Sequence, residues 1–147
     1  MAKQLRLIPL GLLLATGLLG AQETTENGRT PAPEGAQAYF LSPTDGETVS
    51  SPVTIRFGLR GMGVAPAGVQ LPNTGHHHLL IDVDELPPLD MPLPATDSIR
   101  HFGLGQTEIE LALPPGRHTL QLVLGDWSHT PHEPPVTSQK ITITVAP

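Results

Sequence analysis

All seven histidines of this chain fall between His76 and His132, and the chain has no cysteine. The group opens with Gly75-His76-His77-His78, continues through His101 and His118, and closes with Gly125-Asp126-Trp127-Ser128-His129-Thr130-Pro131-His132. Neutral imidazole is the commonest protein ligand for zinc and copper, and it is also the side chain that titrates closest to neutral pH. Imidazole concentrated in this way points to a metal site or a proton-handling site. Without thiolate, and with one carboxylate at most, such a set suits Zn²⁺ or Cu²⁺ better than Mg²⁺ or Ca²⁺. Met62 and Met91 each offer a single thioether in a loop, and Asp82-x-Asp84 lacks the glycine and distal glutamate of an EF-hand.

The elements that must position these rings read as strands. Ala38–Leu41, Glu47–Val49, Val53–Leu59, His77–Val83, Thr107–Leu113, His118–Leu124 and Gln139–Val145 carry the two-residue alternation of a strand with one buried face. No segment of comparable length has a helical period. Roughly seven strands over about 110 residues predict an all-β, immunoglobulin-like sandwich. Leu113-Pro114-Pro115-Gly116-Arg117 is expected to close a hairpin through a type II turn, and the Pro-rich stretch Leu86–Thr96 and the Gly- and Pro-rich stretch Gly61–Gly75 are expected as long loops. Leu122 is placed in the core, and Val123 on the opposite, more open face.

If Leu79, Ile81 and Val83 face the core, His77 shares their side while His76, His78, Leu80 and Asp82 point the other way. His76 and His78 then act together. The Gly125–His132 segment follows a strand as a loop, where a rigid scaffold can present side chains without burying backbone. The expected site is His76 and His78 meeting His129, His132 or His101, with Asp126 or Asp82 as a carboxylate ligand or as an acceptor fixing an imidazole's orientation. The competing reading is a structural hydrogen-bond network that ties loops to the sheet, with Asp126 accepting backbone N–H groups in a turn. His118 lies in register with Leu120, Leu122 and Leu124 and is expected to cap the core edge with a hydrogen bond. Trp127 is expected to pack over its loop.

The N-terminus reads as an address. Lys3 and Arg6 precede an uncharged apolar run of 14 residues from Leu7 to Gly20, with small residues at Gly20 and Ala21. This is the pattern of a secretory signal peptide over residues 1–21, cleaved after Ala21. The run is shorter than the ~18–20 residues of a permanent bilayer span. Residues 22–36 are Thr, Glu, Asn, Gly and Pro-rich and predict a flexible linker, leaving 37–147 as a single β-sandwich domain. The expected location is periplasmic or secreted, with no stable membrane insertion after cleavage.

Removing Lys3 and Arg6 leaves six basic residues against fourteen acidic ones. That balance argues against nucleic acid, which needs a basic footprint. The partner expected first is a metal ion, with a cell-envelope protein as the alternative through the Pro-rich loop. The chain has no His-Glu-x-x-His, no Gly-x-Ser-x-Gly elbow and no Gly-rich phosphate loop, so no catalytic residues are assigned and an enzyme is the less favoured class.

Several runs together carry a family resemblance. They are Leu41-Ser42-Pro43-Thr44-Asp45-Gly46, Gly58-Leu59-Arg60-Gly61-Met62-Gly63-Val64, Thr74-Gly75-His76-His77-His78-Leu79-Leu80-Ile81-Asp82, His101-Phe102-Gly103 with Gly105-Gln106-Thr107, and Pro115-Gly116-Arg117-His118-Thr119-Leu120-Gln121-Leu122 leading to Gly125-Asp126, His129, Pro131-His132 and Pro134-Pro135. From Tyr39 to Val145 the chain resembles the bacterial exported family of domain of unknown function 4399. The resemblance implies a small exported β domain whose histidines belong to the family pattern. It implies no activity.

Overall fold

The computed structural model describes residues 25–26 and 28–147. The expected signal peptide over residues 1–21, and residues 22–24 and 27 of the expected linker, lie outside the described residues. Among the described residues there are nine strands and no helix: β1 (Gln37–Ser42), β2 (Thr48–Val49), β3 (Val53–Arg60), β4 (Gly63–Val64), β5 (Thr74–Ile81), β6 (Ile99–His101), β7 (Glu108–Leu111), β8 (Gly116–Gly125) and β9 (Ile141–Val145). No helix among them is long and apolar enough to cross a membrane.

Two sheets face each other. One is three-stranded in the order β1-β3-β7, and the other runs β2-β9-β8-β5-β4, with β6 on the same side of β5 as β4 but further along it. Alternation explains what lies between them. Val53, Ile55 and Phe57 of β3, Leu79 and Ile81 of β5, Leu120 and Leu122 of β8, and Ile141, Ile143 and Val145 of β9 form one continuous buried cluster. Each such side chain contributes about 1.5–3 kcal/mol when fully buried, so this aliphatic layer holds the sandwich without a disulfide. The all-β, two-sheet architecture matches the immunoglobulin-like expectation, with β4 and β6 added to the seven strands foreseen.

The larger sheet is covered on its second face too. Leu80, Val123, Leu93 and Ile99 form a smaller buried cluster with Val83 packed against it. Val123 is therefore not on an open face, because Leu93 from the Pro-rich stretch and Ile99 of β6 cover it. Asp82 explains the displaced Val83. Its φ of 55° ends β5 and turns the chain, so Val83 joins Leu80 instead of continuing the Leu79 and Ile81 face.

The Pro114–Pro115 corner also differs from expectation. β7 pairs with β3, whereas β8 pairs with β5 and β9, so the corner carries the chain from one sheet to the other and does not close a hairpin. Neither proline has an N–H to give a ladder, and the Pro114 carbonyl is taken by His118 Nε2 at 2.9 Å. Finally, the linker reading fails at its C-terminal part. Arg29 and Thr30 are 8% and 3% exposed, and Pro31 bridges Glu133, so the chain is docked on the domain well before residue 37.

Candidate metal centre

β5 delivers two rings to one side of the larger sheet. His76 and His78 project to the face opposite Leu79 and Ile81, as two-residue alternation requires, and both are almost completely buried. β6 brings the third ring, because His101 stands directly opposite His78 in the antiparallel ladder. The loop after β8 brings the fourth. His129 Nδ1 lies 3.0 Å from His76 Nε2. One ring nitrogen from each of His76, His78, His101 and His129 lies within 4.8 Å of the other three, so this cluster could hold a metal ion.

Glycines make the space. A Cβ on Gly125 would stand 2.8 Å from His78 Cε1 and 3.2 Å from the His129 backbone, and one on Gly103 would overlap the His101 ring. Close approach is what these two positions require. His129 itself has a φ of 72°, a conformation that costs a non-glycine residue on the order of 1–3 kcal/mol and persists only where its surroundings hold it. They do. The Asp126 carboxylate accepts from the Ser128 N–H at 2.8 Å, the Ser128 hydroxyl at 2.7 Å, the Thr130 N–H at 3.0 Å and the Thr30 hydroxyl at 2.7 Å. His129 N–H donates to the Asp126 carbonyl, and the His129 carbonyl accepts from Leu93 N–H.

The electrostatics of the cluster favour neutral rings. Burial, then the neighbouring His101 and His129, push His76 down to about 4, with Asp126 opposing. Burial and then His76, His101 and His129 push His78 down to about 3. His101 is lowered by burial and by His129. Neutral imidazole is the metal-binding form, so His76, His78 and His101 are competent ligands at neutral pH. His78 has no hydrogen-bond partner on either ring nitrogen, and His76 has none on Nδ1. A buried polar atom without a partner costs about 1–3 kcal/mol, which a coordinated ion would offset.

The structure brings together four of the six residues expected as ligands and separates the other two. His132 packs against Gly75, whose Cβ would lie 3.0 Å from the His132 Cε1 atom. Gly75 shares a face with His77, not with His76 and His78, so His132 lies on the wrong side of β5. Its ring is buried without hydrogen-bond partners and its pKa is lowered by burial, with Asp126 opposing. Asp126 spends its oxygens on Thr30, Ser128 and Thr130; burial raises its pKa, but these donors outweigh that and lower it. It organises the loop. His77 points into the main core with its ring edge on Phe57 at 4.8 Å between centroids, and burial pushes it down to about 4. Asp82 is bonded to His118, away from the cluster. Trp127 is 41% exposed and covers little.

Sequence reasoning missed Gly103, Arg29 and Thr30. The signal for Gly103 was present, since a glycine two residues from a histidine on a strand end leaves room for the ring to fold back. Nothing comparable marked Arg29 or Thr30.

The model of a family described as Domain of unknown function (DUF4399) matches residues 55–146, more than half of the chain. The chain belongs to this family. The DUF4399 match takes in all seven histidines and Asp126, and it begins inside β3, leaving out β1 and the docked segment at Arg29 and Thr30. No curated protein and no solved structure matches the chain.

Proposed function

We propose that this DUF4399 domain binds one transition-metal ion, Zn²⁺ or Cu²⁺, through His76, His78, His101 and His129. The observation that carries the reading is the convergence of four ring nitrogens from three separate elements, two of them on rings with buried unpartnered nitrogens. Tetrahedral zinc with bonds of about 2.0–2.1 Å places its nitrogen ligands roughly 3.3 Å apart. The His76–His129 pair at 3.0 Å is close to that spacing, and all four ring nitrogens lie within 4.8 Å of one another. Four neutral ligands leave the ion's charge uncompensated, and the Asp126 carboxylate, which favours positive charge at His76, supplies a nearby countercharge.

The competing hydrogen-bond network has in its favour the His76–His129 bond and the Asp126 carboxylate, which accepts the Ser128 and Thr130 N–H groups. A network that tied loops to the sheet would also occupy His78, and both of its nitrogens are without partners. The basic pair Lys3 and Arg6 ahead of the Leu7–Gly20 run supports export to the periplasm or beyond, where a metal-carrying domain would meet envelope proteins. The test is calorimetric titration of Zn²⁺ and of Cu²⁺ into protein free of any polyhistidine tag. A single tight site lost in His78→Ala is expected. Absence of uptake by the parent would return the histidines to the network reading.

A further inference from the structure

The segment entering the domain is bonded to the loop that carries His129. Arg29 Nε donates to the Pro131 carbonyl at 2.9 Å, its guanidinium also donates to the His132 carbonyl, and it pairs with Glu133. Backbone bonds run alongside, from Ala32 N–H to the Glu133 carbonyl and from Glu133 N–H to the Thr30 carbonyl, each at 2.9 Å. Pro131 in turn bridges Gly125, so residues 126–130 form a closed loop whose base is clamped by Arg29. Inside that loop the Thr30 hydroxyl reaches Asp126 Oδ2 at 2.7 Å, while Asp126 Oδ1 holds Ser128 and Thr130 on either side of His129. A buried arginine with every side-chain bond directed at one three-residue stretch is costly to build unless that stretch must be fixed.

The geometry points to Arg29 and Thr30 as positioning residues for the metal centre, completing it from a segment outside the sandwich by holding His129 in its left-handed conformation. This rests on the proposed metal binding and adds how the fourth ligand is kept in place. The route is Arg29 to the loop base, Thr30 to Asp126, and Asp126 to the backbone flanking His129. Without it, the strained residue is free to relax to ordinary φ and swing its ring away from His76.

The test compares zinc affinity, by competition with a chromophoric chelator, in the full chain and four variants. The Arg29→Gln, Thr30→Val double variant is expected to bind Zn²⁺ about 10–100-fold more weakly, the range found when groups that orient metal ligands are removed. Thr30→Val alone is expected near the lower limit, and Thr30→Ser, which keeps the hydroxyl, near the parent. Val145→Ala serves as a stability control. Val145 is buried and pairs with Gly116, at the far end of β8 from Gly125, so its loss is expected to lower the melting temperature and leave affinity unchanged. Equal affinity in the double variant and the parent, or equal weakening by Val145→Ala, overturns the inference. If the parent takes up no metal, the metal reading fails separately. The coupling is then read from hydrogen exchange of the Ser128 and Thr130 amides in metal-free protein: faster exchange in the double variant than in Val145→Ala supports it, and unchanged exchange overturns it.

Discussion

His118 and the four-histidine cluster stand toward opposite ends of one ladder, since β8 pairs with β5 from Leu120 opposite Ile81 to Gly125 opposite His76. Their environments are inverse. His118 Nδ1 lies 2.7 Å from Asp82 Oδ2 and its Nε2 2.9 Å from the Pro114 carbonyl, so both nitrogens meet acceptors. Only the doubly protonated ring can donate to both. Burial alone would lower its pKa, but the bonds to Asp82 and Pro114 outweigh burial and raise it. In the cluster, ring nitrogens face other ring nitrogens, and burial lowers the pKa of His76, His78 and His101. The same residue type is a finished structural bond at one end and an unfinished donor set at the other. What separates the two is the chemistry of the neighbours, since burial lowers the pKa in both places.

The largest effect that would break this comparison comes from acid. His76 and His77 are held down to about 4 and His78 to about 3. Below the ordinary histidine value near 6.5 the unfolded chain takes up protons that the folded, metal-free domain refuses. Stability is therefore fully present above about pH 6.5, falls as the pH drops toward 4, and levels off only near 3. At about 1.4 kcal/mol per unit for each group, the loss between about pH 6.5 and pH 5 is on the order of several kcal/mol. Denaturant unfolding in the presence of a chelator at about pH 7 and pH 5 measures it. A flat profile would mean that the rings protonate without unfolding and that the cluster is open to water.

Metal supplies the next largest contrast. An ion at about 100 times its dissociation constant adds roughly 2.7 kcal/mol by mass action. His78→Ala is expected to abolish this increment, and His118→Ala to leave it intact while lowering the metal-free melting temperature. The increment fades below about pH 6 in the parent, where protons compete for imidazole. Thermal unfolding with and without Zn²⁺ reads all three. An increment that survives His78→Ala would place the ion elsewhere.

What could be read in advance follows the range of each interaction. Alternation along β5 and β8 is a local property, so the division of His77 from His76 and His78, and the hydrogen-bonded role of His118, were legible from spacing alone. The pairing of His78 with His101 depends on β6, a strand of three residues preceded by a Pro-rich stretch, too short for a periodic signal. His132 was misplaced because two residues three apart in a loop share no fixed face; the backbone at Asp126 and His129 decides where each ring goes. The Pro114–Pro115 corner misled for a related reason. A tight turn dictates a change of direction, and only the wider packing dictates whether the next strand returns to the same sheet. The docked Arg29 and Thr30 came from a polar segment whose composition reads as disorder, and their order rests on a handful of bonds to residues about a hundred positions away.

A smaller effect tests whether ring placement, and not only ring identity, makes the site. Gly103→Ala puts a Cβ into the space held by the His101 ring, whereas Gly68→Ala, at a φ of 80°, strains the backbone with no atom within 4 Å of the new Cβ. Both are expected to cost stability on the order of 1 kcal/mol. Only the first is expected to weaken Zn²⁺ binding, about tenfold, because it expels one of four ligands. Chelator competition distinguishes them, and equal affinities would remove His101 from the ligand set.

The smallest effect carries the opposite sign from the largest. Because the folded pKa of His118 is raised above its unfolded value near 6.5, its stabilisation is fully present below about pH 6.5 and is lost as the pH rises through the folded value. Asp82 is half exposed, so solvent screening keeps the contribution to no more than about 1 kcal/mol. His118→Gln keeps a donor for one partner but cannot carry charge, and it is expected to flatten the stability profile on the alkaline side of pH 6.5 while leaving the acid-side fall unchanged. Denaturant unfolding of parent and variant between about pH 5 and pH 9 separates the two slopes. If the variant instead altered the acid-side fall, the two histidine environments would be coupled through the β5–β8 ladder, and the contrast between a finished bond and an unfinished donor set would no longer be a contrast between independent ends.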